Sequence, residues 1–159
     1  MSTPARPWEQ LFPPPPEGAG AVTLKLRLMR KRGEPLLLLP AHGPVPDAAL
    51  SLYPAQSWKA KLARGGLGLL GKIGAHPGTS PVELRLARDS AFARFLCVPG
   101  TGVESLSFAL LLGNPAAVGR RFVLLVFGPD GQPARVIKAG SGERAVELIL
   151  NETHFRRAV

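Results

Sequence analysis

The sequence predicts an α+β fold: an antiparallel β-meander with a packed helix, preceded by a β-hairpin and a basic helix. Three observations predict it. Residues 106 to 139 hold three apolar runs rich in Val, Phe and Leu, separated by short stretches of Gly, Pro, Asn and Asp. From about Gly142 the polar residues fall at helical spacing. Between Ala21 and Pro40, apolar residues alternate with polar ones on either side of a Gly-containing turn. A chain of 159 residues suits one core of moderate size.

In chain order, the first segment is Met1 to Gly20. It carries Pro13-Pro14-Pro15-Pro16 and lacks the apolar core of a signal peptide, so it is expected as a disordered or polyproline-II tail. A proline-binding partner is the alternative use of such a tail. The hairpin follows. Val22, Leu24, Leu26 and Leu28 alternate with Thr23, Lys25, Arg27 and Met29, and Arg30 to Pro35 (RKRGEP) turns the chain back into Leu36 to Leu39. Two strands alone are marginal, so this hairpin needs a surface to lie against. From Ser57 to Gly74, Trp58, Leu62, Leu69 and Ile73 share a helical face beside Lys59, Lys61, Arg64 and Lys72. Five glycines in that stretch each cost about 1 kcal/mol relative to Ala, so the helix is expected to dock on the protein or to fray. An anionic membrane surface is the competing use of its basic face.

Pro81 to Ala87 predicts a short strand. Asp89 is placed to cap a helix through Phe92, Phe95 and Leu96, and Pro99 to Gly102 to form a hinge. The organising stretch comes next. Leu106 to Leu112 predicts a buried strand closed by Gly113-Asn114-Pro115, and Arg121 to Phe127 a second strand. Gly128 to Gly131 supplies a turn in which Gly131 suits positive φ, and Ala134 to Ala139 completes the meander. Division is expected near residue 80, giving a tail over 1–20, a hairpin plus basic helix over 21–80, and the meander and last helix over 81–159.

The last helix carries the chemistry. Ser141 can cap it, and Glu143 sits in the first turn, where the helix dipole favours a negative charge. Arg144, Glu147, Asn151 and His154 form one polar stripe. Glu152 stands off that stripe and lines up with Ala145, Leu148 and Phe155. A carboxylate on such a face is costly unless paired, and Lys138 at the end of the third meander strand is its nearest candidate partner. The alternative is a strand-end lysine reaching water and a partly exposed glutamate.

With VIK at Val136-Ile137-Lys138 and NETHF around Glu152, this order of elements resembles the small lobe of the kinase fold. The likeness is to the phosphotransferases that act on aminoglycosides, choline and similar small molecules. The resemblance implies that Lys138 holds the nucleotide's α- and β-phosphates while Glu152 keeps that lysine extended and charged. It implies a phosphate loop in GNPAAVG, bounded by Gly113 and Gly119, although the three-glycine pattern of protein kinases is missing. It further implies weak ATP binding, with Mg not expected without the large lobe.

The rest of the family's chemistry lies in that large lobe: a catalytic-loop aspartate, an asparagine five residues later on magnesium, and a second metal-binding aspartate. Here the aspartates are Asp47, Asp89 and Asp130, and five residues beyond them stand Leu52, Arg94 and Arg135. The resemblance therefore implies a small lobe from a truncated or split gene, not catalytic alone, with nucleotide and a separate catalytic lobe as partners. Apolar surface such as Leu148 and Phe155 would then lie open, and self-association is expected.

Charge supplies a reading of another class. The formal net charge is +9, and the first 80 residues carry ten Lys and Arg against four acids. A basic module that binds nucleic acid or an anionic lipid surface is the alternative function, with Arg30, Lys31 and Arg32 as its contact point. Other chemistry finds no footing. His42, His76 and His154 have no ligand spacing with Cys97, no Gly-Lys-Ser/Thr occurs, and no nucleophile elbow is present. A single cysteine, Cys97, after the apolar pair Phe95-Leu96, fits a buried inert thiol and a cytoplasmic setting.

Overall fold

Alternation in the first hairpin becomes two long strands, β1 (Ala21–Lys31) and β2 (Glu34–Pro40). Arg32 and Gly33 join them with φ of 53° and 86°. Positive φ at both central residues gives the turn whose twist matches that of the strands it links. The computed structural model describes residues 6–42, 47–52, 78–114, 116–117, 119–140 and 142–157, with residues 47 and 151–157 described by backbone alone. The expected basic helix at Ser57 to Gly74 lies outside the described residues.

Four more strands extend the sheet: β3 (Thr79–Ala87), β4 (Ser107–Leu111), β5 (Arg121–Phe127) and β6 (Pro133–Gly140). The order is β3-β1-β2-β4-β5-β6, and all neighbours are antiparallel. Proline placement fits this order. Pro81 and Pro133 lie in the two outer strands, where a missing N–H need break no ladder. Pro35 and Pro40 of β2 lie outside Leu37 and Leu38, the two residues that pair with β4. The turn from β5 to β6 is closed by the Gly128 N–H donating to the Gln132 carbonyl and the Gln132 N–H donating to Asp130 Oδ1. Gly131 takes the expected positive φ, 74°.

Helices α1 (Asp47–Ser51), α2 (Ala91–Leu96) and α3 (Glu143–Arg157) accompany the sheet. The fold is thus α+β, with the expected meander as its β4–β5–β6 half. Hydrogen-bonded pairing runs across the expected boundary near residue 80, because β3 pairs with β1 along its whole length and β2 pairs with β4. Instead of preceding the meander as a separate unit, the hairpin lies between β3 and β4. The meander's exposed edge at β4 is what supplies the surface that the hairpin needed.

The sheet's two faces carry separate cores. Face one gathers Val22, Leu24, Leu26 and Leu28 with Leu84, Phe108, Phe122 and Leu124. Face two gathers Met29, Leu37, Leu39, Ala109, Leu125 and Phe127 under Ala49 and Leu50 of α1. Parity along each strand assigns every side chain to one face.

Three local expectations are corrected. The tail predicted over 1–20 is, in its described part, joined to the core: Pro7–Gln10 form a 3₁₀ turn, and Trp8 and Phe12 are buried in face one. Phe12 sits 5.4 Å from both Phe92 and Phe108, ring centre to ring centre. Aromatic burial outweighs the local bias of the proline run. Secondly, α2 is capped by Ser90, whose Oγ accepts the Ala93 N–H at 3.3 Å, and not by Asp89. Lastly, the expected hinge at Pro99 to Gly102 is a hydrogen-bonded turn, with the Thr101 N–H and hydroxyl both donating to the Val98 carbonyl.

Candidate functional site

Lys138 stands near the end of β6, paired with Val123, and is exposed. Ile137 and Ala139 pack against face one, so Lys138 belongs to face two. Helix α3 lies on that same side. A Cβ at Gly140, two residues on and therefore on Lys138's face, would meet the Ala145 Cβ at 2.7 Å and the Ile149 Cδ1 at 3.2 Å. The glycine lets helix and strand approach closely, and Ala145 is fully buried in the contact. Position 152 falls two turns beyond Ala145, on the same stripe of the helix, and its side chain lies outside the described atoms.

Gly113 and Gly119 bound the β4–β5 connection, and both have positive φ, 68° and 77°. Each also faces backbone at short range. A Cβ on Gly113 would collide with the Arg121 carbonyl oxygen, and one on Gly119 would come within 2.7 Å of the Ala145 amide nitrogen at the start of α3. The connection, the end of β6 and the first turn of α3 are thus one contiguous assembly. Its glycines are required by internal packing, whatever else they contact.

Face one holds a feature that parity within β5 could have flagged. Arg120 stands in phase with Phe122, Leu124 and Val126, the buried series of β5. Its Nε donates to the Leu112 carbonyl at 2.7 Å, and its guanidinium carbon lies 5.6 Å from the centre of the Phe122 ring. Nη2 is buried and has no hydrogen-bond partner among the described residues. Burial lowers the Arg120 pKa from its ordinary value, while the Glu34 carboxylate acts in the opposite sense.

Arg120 lines a groove of about 950 Å³ beside the 3₁₀ turn, the hairpin tip and β3, with Trp8, Phe12, Leu28 and Leu84 also on its surface. A smaller cavity, about 320 Å³, holds Arg88, Arg94, Cys97 and Glu104. Burial and then the Glu104 charge push the Cys97 thiol pKa up, and its S–H donates to the Ala93 carbonyl at 3.3 Å. This environment favours the thiol over a nucleophilic thiolate. Among the described residues no three His, Cys, Asp or Glu side chains gather as metal ligands, and no helix is long and apolar enough to cross a membrane.

Comparison of the chain with family models, with curated proteins and with solved structures finds no match.

Proposed function

We propose that the chain is a kinase-like small lobe, not catalytic alone, that makes weak contacts to nucleotide phosphates and serves a separate catalytic lobe. The observation that supports this reading is the assembly on face two: a three-stranded antiparallel meander whose exposed Lys138 shares its side of the sheet with α3. A lysine and a helix on one side are what this chemistry needs, because the phosphates are held electrostatically by an ammonium that a helix carboxylate orients. Glu152 is assigned that carboxylate role. Gly113 and Gly119 are assigned the phosphate loop, and ATP the role of ligand. Val136, Val146 and Leu150 are exposed on the same side and offer a catalytic lobe its docking surface. Isothermal titration at high protein concentration tests the nucleotide part. Weak ATP binding that Lys138→Ala reduces about tenfold is expected. Binding that is absent, or indifferent to that substitution, sinks it.

A second reading rests on the hairpin tip, where Arg30, Lys31 and Arg32 are three consecutive exposed cations. As a basic module the chain would bind nucleic acid or anionic lipid through this tip. Affinity should then collapse between low and moderate salt, and charge reversal at the three positions should weaken it further. Indifference to both removes this alternative.

A further inference from the structure

We propose that the outer edge of β3 is an interface between two copies of this chain, which pair antiparallel about a two-fold axis at Leu84 and join their sheets. Strand β3 is an outer strand, bonded to β1 on one side. The Arg88 N–H donates to the Gly20 carbonyl, so the even-numbered residues from Ser80 onward turn their main-chain groups towards β1. Those of Pro81, Glu83, Arg85 and Ala87 therefore point away from the sheet. Pro81 fits that phase, because its missing N–H breaks no bond to β1. Among the described residues, nothing bonds to the outward groups of Glu83, Arg85 and Ala87.

Charge selects both the partner and the register. Glu83 and Arg85 are exposed, lie on face two by parity, and take part in no ion pair among the described residues. With Leu84 opposite the partner's Leu84, each Glu83 faces the partner's Arg85, and the two-fold axis repeats the pair. In the same register these two positions exchange main-chain bonds, the Ala87 N–H reaches the partner's Pro81 carbonyl, and Val82 meets the partner's Leu86 on face one. A slip of two residues either way sets Glu83 against Glu83 or Arg85 against Arg85. A slip of one sets outward main-chain groups against inward ones. A charge on an edge strand ordinarily deters pairing, but opposite charges two residues apart leave this one register open. The other edge, β6, carries Arg135 and Lys138 and no acid, so copies meeting there would face like charges. The interface lies at the far end of the sheet from β6 and stands or falls independently of the nucleotide reading.

Sedimentation equilibrium of the full chain over a wide concentration range tests it, with thermal melting of each variant as the check on folding. A monomer–dimer equilibrium with a dissociation constant of about 100 μM or tighter is expected. Glu83→Arg or Arg85→Glu alone sets like charges opposite each other twice, and should weaken the dimer about tenfold or more. The double exchange, Glu83→Arg with Arg85→Glu, restores the complement and should return the affinity to within about threefold of wild type. An equal mixture of the two single variants should form a mixed dimer tighter than either variant forms alone, a gain that general damage to β3 would not produce. Leu150→Arg, at an exposed position on α3, should leave the equilibrium unchanged. The proposal is overturned if the chain stays monomeric, or if assembly runs past the dimer, as open-ended pairing of β3 with β6 would make it. It is equally overturned if the folded single variants dimerise like wild type, if the double exchange fails to restore the dimer, or if Leu150→Arg abolishes it.

Discussion

On one face of the sheet Phe108, Phe122 and Leu124 are fully buried, while at the β6 end of the other Val136 is 61% exposed, and Val146 and Leu150 of the overlying α3 are about half exposed. Alternate residues of the same strands build both faces, so the difference lies in what covers them. Face one is closed by a segment far away in sequence, the 3₁₀ turn, together with α2, through the contact of Phe12 with Phe92. At β6, face two is met by α3, and the closest approach is that of Gly140 to Ala145, with Ile149 beside it. A large buried aromatic cover makes a core. A small-residue contact makes a close but narrow junction, and leaves neighbouring apolar side chains in water.

The largest expected effect comes from breaking the cover of face one. Phe12→Ala should cost about 3–5 kcal/mol, measured from denaturant midpoints, whereas Val136→Ala on the open face should stay within about 0.5 kcal/mol. Equal losses at the two positions would erase the contrast. Next comes the junction on face two. Gly119→Ala forces a side chain onto positive φ and against the Ala145 backbone, so it should destabilise by more than about 1 kcal/mol and shift amide resonances at the start of α3. A silent substitution would mean that loop and helix are not joined. A smaller effect, about 1 kcal/mol, is expected for Ser90→Ala, which removes the cap of α2 on face one, while Asp89→Ala should change little.

The smallest is a pH effect. The Cys97 thiol pKa is raised in the folded chain, first by burial and then by Glu104. Above the ordinary thiol value, about 8.5, the unfolded chain loses its proton before the folded one. This contribution to stability is therefore intact at neutral pH and is lost as pH rises through the folded-state value. Wild type should lose more stability than Cys97→Ala between neutral and alkaline pH in parallel denaturation series. Identical slopes would show that the thiol is not shielded.

The strands were legible because an apolar residue at every second position has one physical reading, and each predicted strand lies within two residues of its observed limits. Turn chemistry was legible for the same kind of reason: Gly33 and Gly131 occupy the positive-φ positions that their neighbours demand. Helix α3 begins where the spacing changes. The role of Trp8 and Phe12 was not legible, since a proline run beside a few aromatics carries no local period, and only contact with Phe92 and Phe108 makes them core. Arg120 was half legible. Its phase with Phe122 marks it as inward-facing, but its missing acceptor and its relation to Glu34 depend on segments far apart in the chain.

Residue order alone decided which side chains of each strand share a face, where the chain turns, and that the fold mixes an antiparallel sheet with a helix at its end. Those are local properties, set by the two-residue pleat and by backbone sterics at glycine and proline. Tertiary structure decided that the hairpin joins the meander in one sheet, that the N-terminal segment closes one core, and that Arg120 meets Arg6 and Arg30 along one groove. Each depends on non-local contacts, whose partners are chosen by burial and shape, and none of the three is written in any short window of sequence.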